Sequence, residues 1–195
     1  MGQRLAAAFP TAFIVSVQAP YHADFGRGFQ WFSVRDVTEG NRAQRVLEAM
    51  PAFVETVQAW QKQAHLDVAR TVLIGFSQGA IMALESTRDA APIAGRVAAI
   101  AGRFAELPTK SAPDTVVHFI HGKRDLVMPY TSTLAAAERL AALGGDVTAD
   151  ILPLAGHEVN ADIIALLIER LKHAVPMRRP GDAGGTTLNV APTKP

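Results

Sequence analysis

The chain has 195 residues, 49% of them hydrophobic, which is enough for one well-filled core and so for one domain. Its 19 basic and 18 acidic residues are interspersed and leave a formal charge of +1, which excludes a nucleic-acid-binding stripe or a polybasic membrane patch. The absence of cysteine excludes disulfides, thiolate metal sites and cysteine nucleophiles, and no apolar run approaches a membrane span.

Met1 to Ala19 carries an early basic residue, Arg4, and an apolar stretch, as an export signal does, but Pro10 divides the stretch. Residues 12–17, Ala-Phe-Ile-Val-Ser-Val, are β-branched and apolar and predict a buried strand. A cytoplasmic location is the expectation, and the cysteine-free composition fits it. Residues 21–37, with Gly26, Gly28 and the pair Trp31-Phe32, read as a long loop. From about Thr38 a helix is expected, with Val46, Leu47, Met50, Phe53, Val54, Val57 and Trp60 on one face and a kink at Pro51, which lacks a backbone donor.

Thr71 to Ile74 is a short, nearly all-apolar strand of the kind a sheet covered on both faces requires. Ala80 to Leu84 follows as a helix apolar all round, and 97–100 and 116–120 read as further strands. An amphipathic helix over 134–143 closes on Gly144-Gly145. A strand over 147–154 and a helix through Ile163, Ile164, Leu167 and Leu171, capped by Asn160, complete the pattern. Alternating β and α segments predict an α/β domain over residues 1–176, with flanking helices on a mostly parallel sheet. Residues 177–195 are rich in proline, glycine and polar side chains and read as a disordered tail.

Chemistry enters at Gly75-Phe76-Ser77-Gln78-Gly79, set between an apolar strand and an apolar helix. In that context Gly-X-Ser-X-Gly forms a tight turn that lifts the serine hydroxyl clear of the sheet, with glycines on either side letting neighbouring backbone pack close. The Gln78 N–H, at the helix N-terminus, is placed to face a developing oxyanion. A serine hydroxyl is a weak nucleophile, so it needs a base, and the base needs an orienting acid. Asp125, in His121-Gly122-Lys123-Arg124-Asp125, follows the 116–120 strand, and His157, after Ala155-Gly156, follows the 147–154 strand. Both therefore fall at the strand ends where parallel sheets bind ligands, in the order Ser, Asp, His. Asp114 and Asp146 precede strands, and Asp150 lies within one.

Alone, Asp125 would serve equally well as a turn residue, and a histidine placed as His157 is more often a satisfied loop residue than a catalyst; their joint placement carries the assignment. His118 and His121 stand three apart on a strand, which points them to opposite faces, and no HExxH-type cluster exists, so no metal is expected. Trp31-Phe32 is suited equally to lining a substrate pocket above Ser77 or to anchoring its own loop, and Val127 and Met128 could wall an acyl pocket.

The segments Gln-Trp-Phe-Ser-Val (30–34), Ile-Gly-Phe-Ser-Gln-Gly-Ala (74–80), His-Gly-Lys-Arg-Asp (121–125) and Gly-His (156–157) resemble the bacterial phospholipase/carboxylesterase family of α/β-hydrolases, nearest its small proteobacterial esterases. The resemblance runs from about residue 3 to about residue 176. It implies hydrolysis of short-chain carboxylic esters through an acyl-enzyme, without a cofactor, with Ser77, Asp125 and His157 at the triad positions. A thioesterase acting on acyl-proteins or acyl-CoA would use the same machinery. The expected partner is a small ester, neither nucleic acid nor membrane, and a homodimer stays open. Members of the family begin with a further strand and a His-Gly loop that supplies a second oxyanion amide, and that strand sits centrally. The resemblance therefore implies an N-terminally truncated hydrolase fold, and loss of a central strand would cost far more than the ~5–15 kcal/mol that holds a domain together. A missed upstream start is favoured over a truncated, inactive remnant.

Overall fold

The computed structural model describes residues 1–88, 91–173 and, as backbone, 187–190. The chain opens with α1 (Gly2–Ala8) and a two-stranded antiparallel hairpin, β1 (Tyr21–His22) and β2 (Phe29–Gln30), before α2 (Glu39–Ala64). Then β3 (Val72–Phe76), α3 (Gln78–Glu85), β4 (Arg96–Ile100), β5 (Val116–Gly122), α4 (Tyr130–Ala142), β6 (Val147–Leu152) and α5 (Ala161–Lys172) alternate, and β7 (Thr187–Val190) follows. Strands β3 to β7 lie side by side in that order, and every neighbouring pair is parallel.

The two-residue period of the strands divides the core into two layers. Val97, Ala99, Val117, Phe119, Val147 and Ala149 face α2, α3 and α4, whose buried residues include Val46, Phe53, Met82, Ala136 and Leu140. Ala98, Ile100 and Ile120 face the other way, onto Leu5 of α1 and Ile163 and Leu167 of α5. Each large apolar side chain buried in this way contributes about 1.5–3 kcal/mol. Because β5 is covered on both faces, all seven of its residues are buried, including His118 and His121.

Local signals account for the helix ends. Asn41 accepts from the Thr38 N–H at 2.8 Å, which starts α2, and the helix runs unbroken through Pro51 to a left-handed His65. Asn160 caps α5 by accepting from the Ile163 N–H at 3.0 Å, and Gly144, at φ 78°, follows α4. The loop expected over 21–37 contains the hairpin, whose turn uses Gly26 and Gly28 at positive φ.

The strand expected over 12–17 does not form: those residues join no ladder, and Phe13 and Val17 are exposed. β-Branched composition gives a preference for extended backbone, but a strand exists only through a hydrogen-bonding neighbour, and none of the described residues supplies one. Phe13 instead packs against Trp60 of α2, ring centroids 6.2 Å apart. β3 is accordingly an edge strand, with Val72 exposed. The tail expected over 177–195 lies outside the described residues except at Thr187–Val190, whose backbone pairs in parallel with β6.

Candidate active site

Ser77 joins β3 to α3 with φ 52° and ψ −117°, a conformation that costs a non-glycine residue about 1–3 kcal/mol. The turn is held in place by its own backbone. Ser77 N–H donates to the Ile100 carbonyl of β4 at 3.0 Å, and the Ser77 carbonyl accepts from the N–H groups of Ala80 and Ile81. Gly75 is required for this: a Cβ there would lie 2.3 Å from the Gly79 carbonyl oxygen. The same reasoning does not extend to Gly79, where a Cβ would meet nothing within 4 Å because the position faces the open cleft. The Gln78 N–H, in the first turn of α3, has no intrahelical acceptor, as at every helix start.

The loops that carry Asp125 and His157 converge on this turn from the ends of β5 and β6. Lys123 N–H donates to the Leu152 carbonyl at 2.8 Å and Arg124 N–H to the Ala155 carbonyl at 2.9 Å, stitching the two loops together. Their approach depends on Gly122, where a Cβ would lie 2.3 Å from the Ala155 carbonyl oxygen. His157 Nδ1 stands 2.7 Å from Asp125 Oδ2, and His157 Nε2 stands 2.9 Å from Ser77 Oγ. A carboxylate only accepts, so the shared proton sits on Nδ1 and leaves the Nε2 lone pair to receive the serine hydroxyl. The Phe76 ring lies against the His157 ring, centroids 4.9 Å apart and tilted by 39°.

Asp125 is buried, which alone would push its pKa up, but the donors around it outweigh burial and hold it below the usual carboxylate range. Met128 N–H and Val127 N–H each donate to Oδ1 at 2.8 Å, and His157 donates to Oδ2. Oδ2 has a second neighbour that the sequence pattern did not mark out: His121 Nε2, at 3.1 Å. Only the spacing His-X-X-X-Asp across a strand end could have indicated it, and that spacing alone does not separate contact from proximity.

An open cleft of about 390 Å³ lies before Ser77, lined by Val17, Ala19, Phe29, Trp31, Phe76 and Gln78 among others. The structure brings Trp31 to this cleft and also buries it, edge-on to Phe53 with centroids 5.0 Å apart, so it both lines and anchors. Phe32 is buried in the core and does not line the cleft. The Val127 side chain is exposed and Met128 packs on the core; neither lines the cleft, and it is their backbone N–H groups that serve the site, through Asp125. His118 pairs with Thr148 and His121 with Thr133, so the two belong to separate networks. Among the described residues no group of three or more His, Asp or Glu could hold a metal ion, and no helix is long and apolar enough to cross a membrane.

Residues 1–174 match the model of the phospholipase/carboxylesterase family. The chain is 43% identical to esterase YpfH of Escherichia coli (strain K12) over 176 residues, which is 90% of this chain and 76% of that protein. It superposes on the crystal structure of esterase PE8 with a TM-score of 0.73 at 28% identity, covering 88% of this chain and 86% of the other. A carboxylesterase from Mesorhizobium loti shares the fold, with a TM-score of 0.73 at 21% identity over 87% and 80% of the two chains.

Proposed function

From the premise that the chain belongs to the phospholipase/carboxylesterase family of α/β-hydrolases, we propose that it is a serine carboxylesterase hydrolysing short-chain carboxylic esters through an acyl-enzyme on Ser77. The observation that carries the reading is the continuous chain Ser77 Oγ, His157 Nε2, His157 Nδ1, Asp125 Oδ2, linked at 2.9 and 2.7 Å. His157 takes the hydroxyl proton as Ser77 Oγ attacks the ester carbonyl, and Asp125 stabilises the imidazolium that forms. The Gln78 N–H donates to the oxyanion. His157 then returns the proton to the departing alcohol, and a water activated by the same imidazole releases the acid.

The size of the cleft supports a small acyl group, since about 390 Å³ is near the lower end of ligand pockets. The substrate in this reading is a small ester, with no cofactor, nucleic acid or membrane partner. A cytoplasmic location belongs to the same proposal, and the cysteine-free composition fits it. The test is fluorophosphonate treatment followed by peptide mass spectrometry, alongside turnover of p-nitrophenyl esters of increasing acyl length. An adduct on Ser77 with turnover falling as the acyl chain lengthens is expected; an adduct elsewhere, or rates that rise with chain length, would overturn the reading.

A further inference from the structure

His121 is wholly buried at the end of β5, and the mechanism above makes no use of it. Its Nε2 lies 3.1 Å from Asp125 Oδ2 and 2.9 Å from the Met128 carbonyl oxygen. Both of these groups only accept, so Nε2 must carry a proton to be satisfied. Its Nδ1 lies 2.7 Å from Thr133 Oγ1 of α4. That hydroxyl also stands 3.2 Å from the Gly102 carbonyl oxygen, so two acceptors compete for one proton. A neutral ring protonated on Nε2 leaves Nδ1 as the nearer acceptor, and Thr133 donates to it. The alternative, a ring protonated on both nitrogens, would place a cation in a fully buried site, and burial pushes the His121 pKa down. The charged or titratable groups facing His121 are Asp125 on its own loop and His157 from the loop after β6; α4 contributes only Thr133 and the loop after β4 only a carbonyl.

We propose that His121 is a positioning residue for the reaction: a neutral imidazole, fixed by Thr133, that donates a second hydrogen bond to Asp125 Oδ2, the oxygen that orients His157. The proposal rests on the esterase reading of Ser77, His157 and Asp125. With Val127 and Met128 N–H on Oδ1 and two imidazoles on Oδ2, the carboxylate has four donors and cannot rotate without losing one. The His121 proton also shares the Oδ2 charge, so Oδ2 does not spend its full negative charge on the His157 imidazolium. Removing the donor therefore favours that imidazolium and moves the acid limb of kcat/KM to higher pH.

The test compares His121→Leu with His121→Gln. A glutamine amide has two protons on one nitrogen, enough for both Asp125 Oδ2 and the Met128 carbonyl, so it retains the wild-type limb. The leucine variant is expected to lose about tenfold in kcat/KM. Its acid limb should shift upward by roughly half to one pH unit. A leucine variant with the wild-type limb, or a glutamine variant that shifts as far as leucine, would overturn the proposal. Where the leucine variant fails to fold, ¹⁵N-histidine NMR of the unaltered protein decides. At neutral pH the His121 ring should be protonated on Nε2 and bare on Nδ1, and a bare Nε2 or a doubly protonated ring there would overturn the proposal. Absence of both fluorophosphonate labelling and ester turnover would end the esterase reading itself and leave the NMR result standing.

Discussion

The Gln78 side chain brackets the Trp31-Phe32 dipeptide through its two ends. Gln78 Oε1 accepts from the Trp31 N–H at 2.7 Å, and Gln78 Nε2 donates to the Phe32 carbonyl at 2.8 Å. Gln78 thus opens α3 beside Ser77 with its backbone and clamps the cleft wall with its side chain. Gln78→Leu keeps the backbone N–H but leaves two polar groups of the loop without partners. It should raise KM about tenfold with a smaller change in kcat, and lower stability by roughly 1–3 kcal/mol. Gln78→Glu should be worse, because a carboxylate then faces the Phe32 carbonyl. Steady-state kinetics and thermal unfolding of the two variants check this ordering.

Ser77 holds its hydroxyl on a strained backbone, so in the proposed mechanism this position sets stability against activity. Ser77→Ala should remove ester turnover by a factor of roughly 10⁴ or more, with little change in fold. Ser77→Gly should be equally inactive but more stable than the alanine variant by about 1 kcal/mol, since glycine alone is at ease at φ 52°. Paired denaturation curves for the two inactive variants measure that difference directly. An alanine variant as stable as the glycine variant would show that the turn stores no strain.

Much of this site was legible because each of its three residues lies in the turn or loop that follows a largely apolar strand. Knowing that β3, β5 and β6 run in parallel is enough to bring Ser77, Asp125 and His157 to one edge, since parallel strands end on the same side. What remained hidden depends on partners distant in sequence. The 12–17 segment has the composition of a strand but no neighbour among the described residues to pair with, and propensity does not provide one. Val127 and Met128 were identified by apolar side chains, yet they act through backbone N–H groups, which residue identity does not reveal. His121 was weighed only as a metal ligand. Its pairing with Asp125 arises where the chain turns back at the end of β5, which a two-residue period does not describe.

His118 carries a pH dependence of stability unconnected with turnover. It is fully buried, Nδ1 pairs with Thr148 Oγ1 at 2.8 Å, and Nε2 has no hydrogen-bond partner among the described residues. Burial, with Arg96 and Arg170 nearby, lowers its pKa from 6.5 to about 4. Between these values the unfolded chain binds the proton and the folded chain does not, so acidification favours unfolding. Stability should fall as pH drops from 6.5 to about 4, by up to about 3 kcal/mol from this group. His118→Asn keeps a polar atom near Thr148 but cannot titrate. Its stability should be flatter across that window than the parent's, as urea denaturation at a series of pH values will show.

The two buried aspartates at the sheet, Asp125 and Asp150, should separate cleanly into function and stability. Asp150 lies on β6 and binds Arg170 of α5 through two contacts, at 2.6 and 2.7 Å, which pins the helix to the sheet. Its burial resembles that of Asp125, but it has no contact with His157. Asp150→Asn leaves the guanidinium without its carboxylate and should destabilise the fold by roughly 2–3 kcal/mol, less than a fully buried pair would because Arg170 keeps some access to water. Its kcat/KM at 25 °C should stay within about twofold of the parent's, since nothing at Ser77 moves. Asp125→Asn should do the reverse. An amide at this position can donate to His157 Nδ1 and so favour the tautomer that places a proton on Nε2, where the serine hydroxyl must be received. Turnover should fall by roughly 10⁴. Measuring kcat/KM and unfolding free energy for both variants tests the division, and an Asp150→Asn enzyme that is stable but inactive would contradict it.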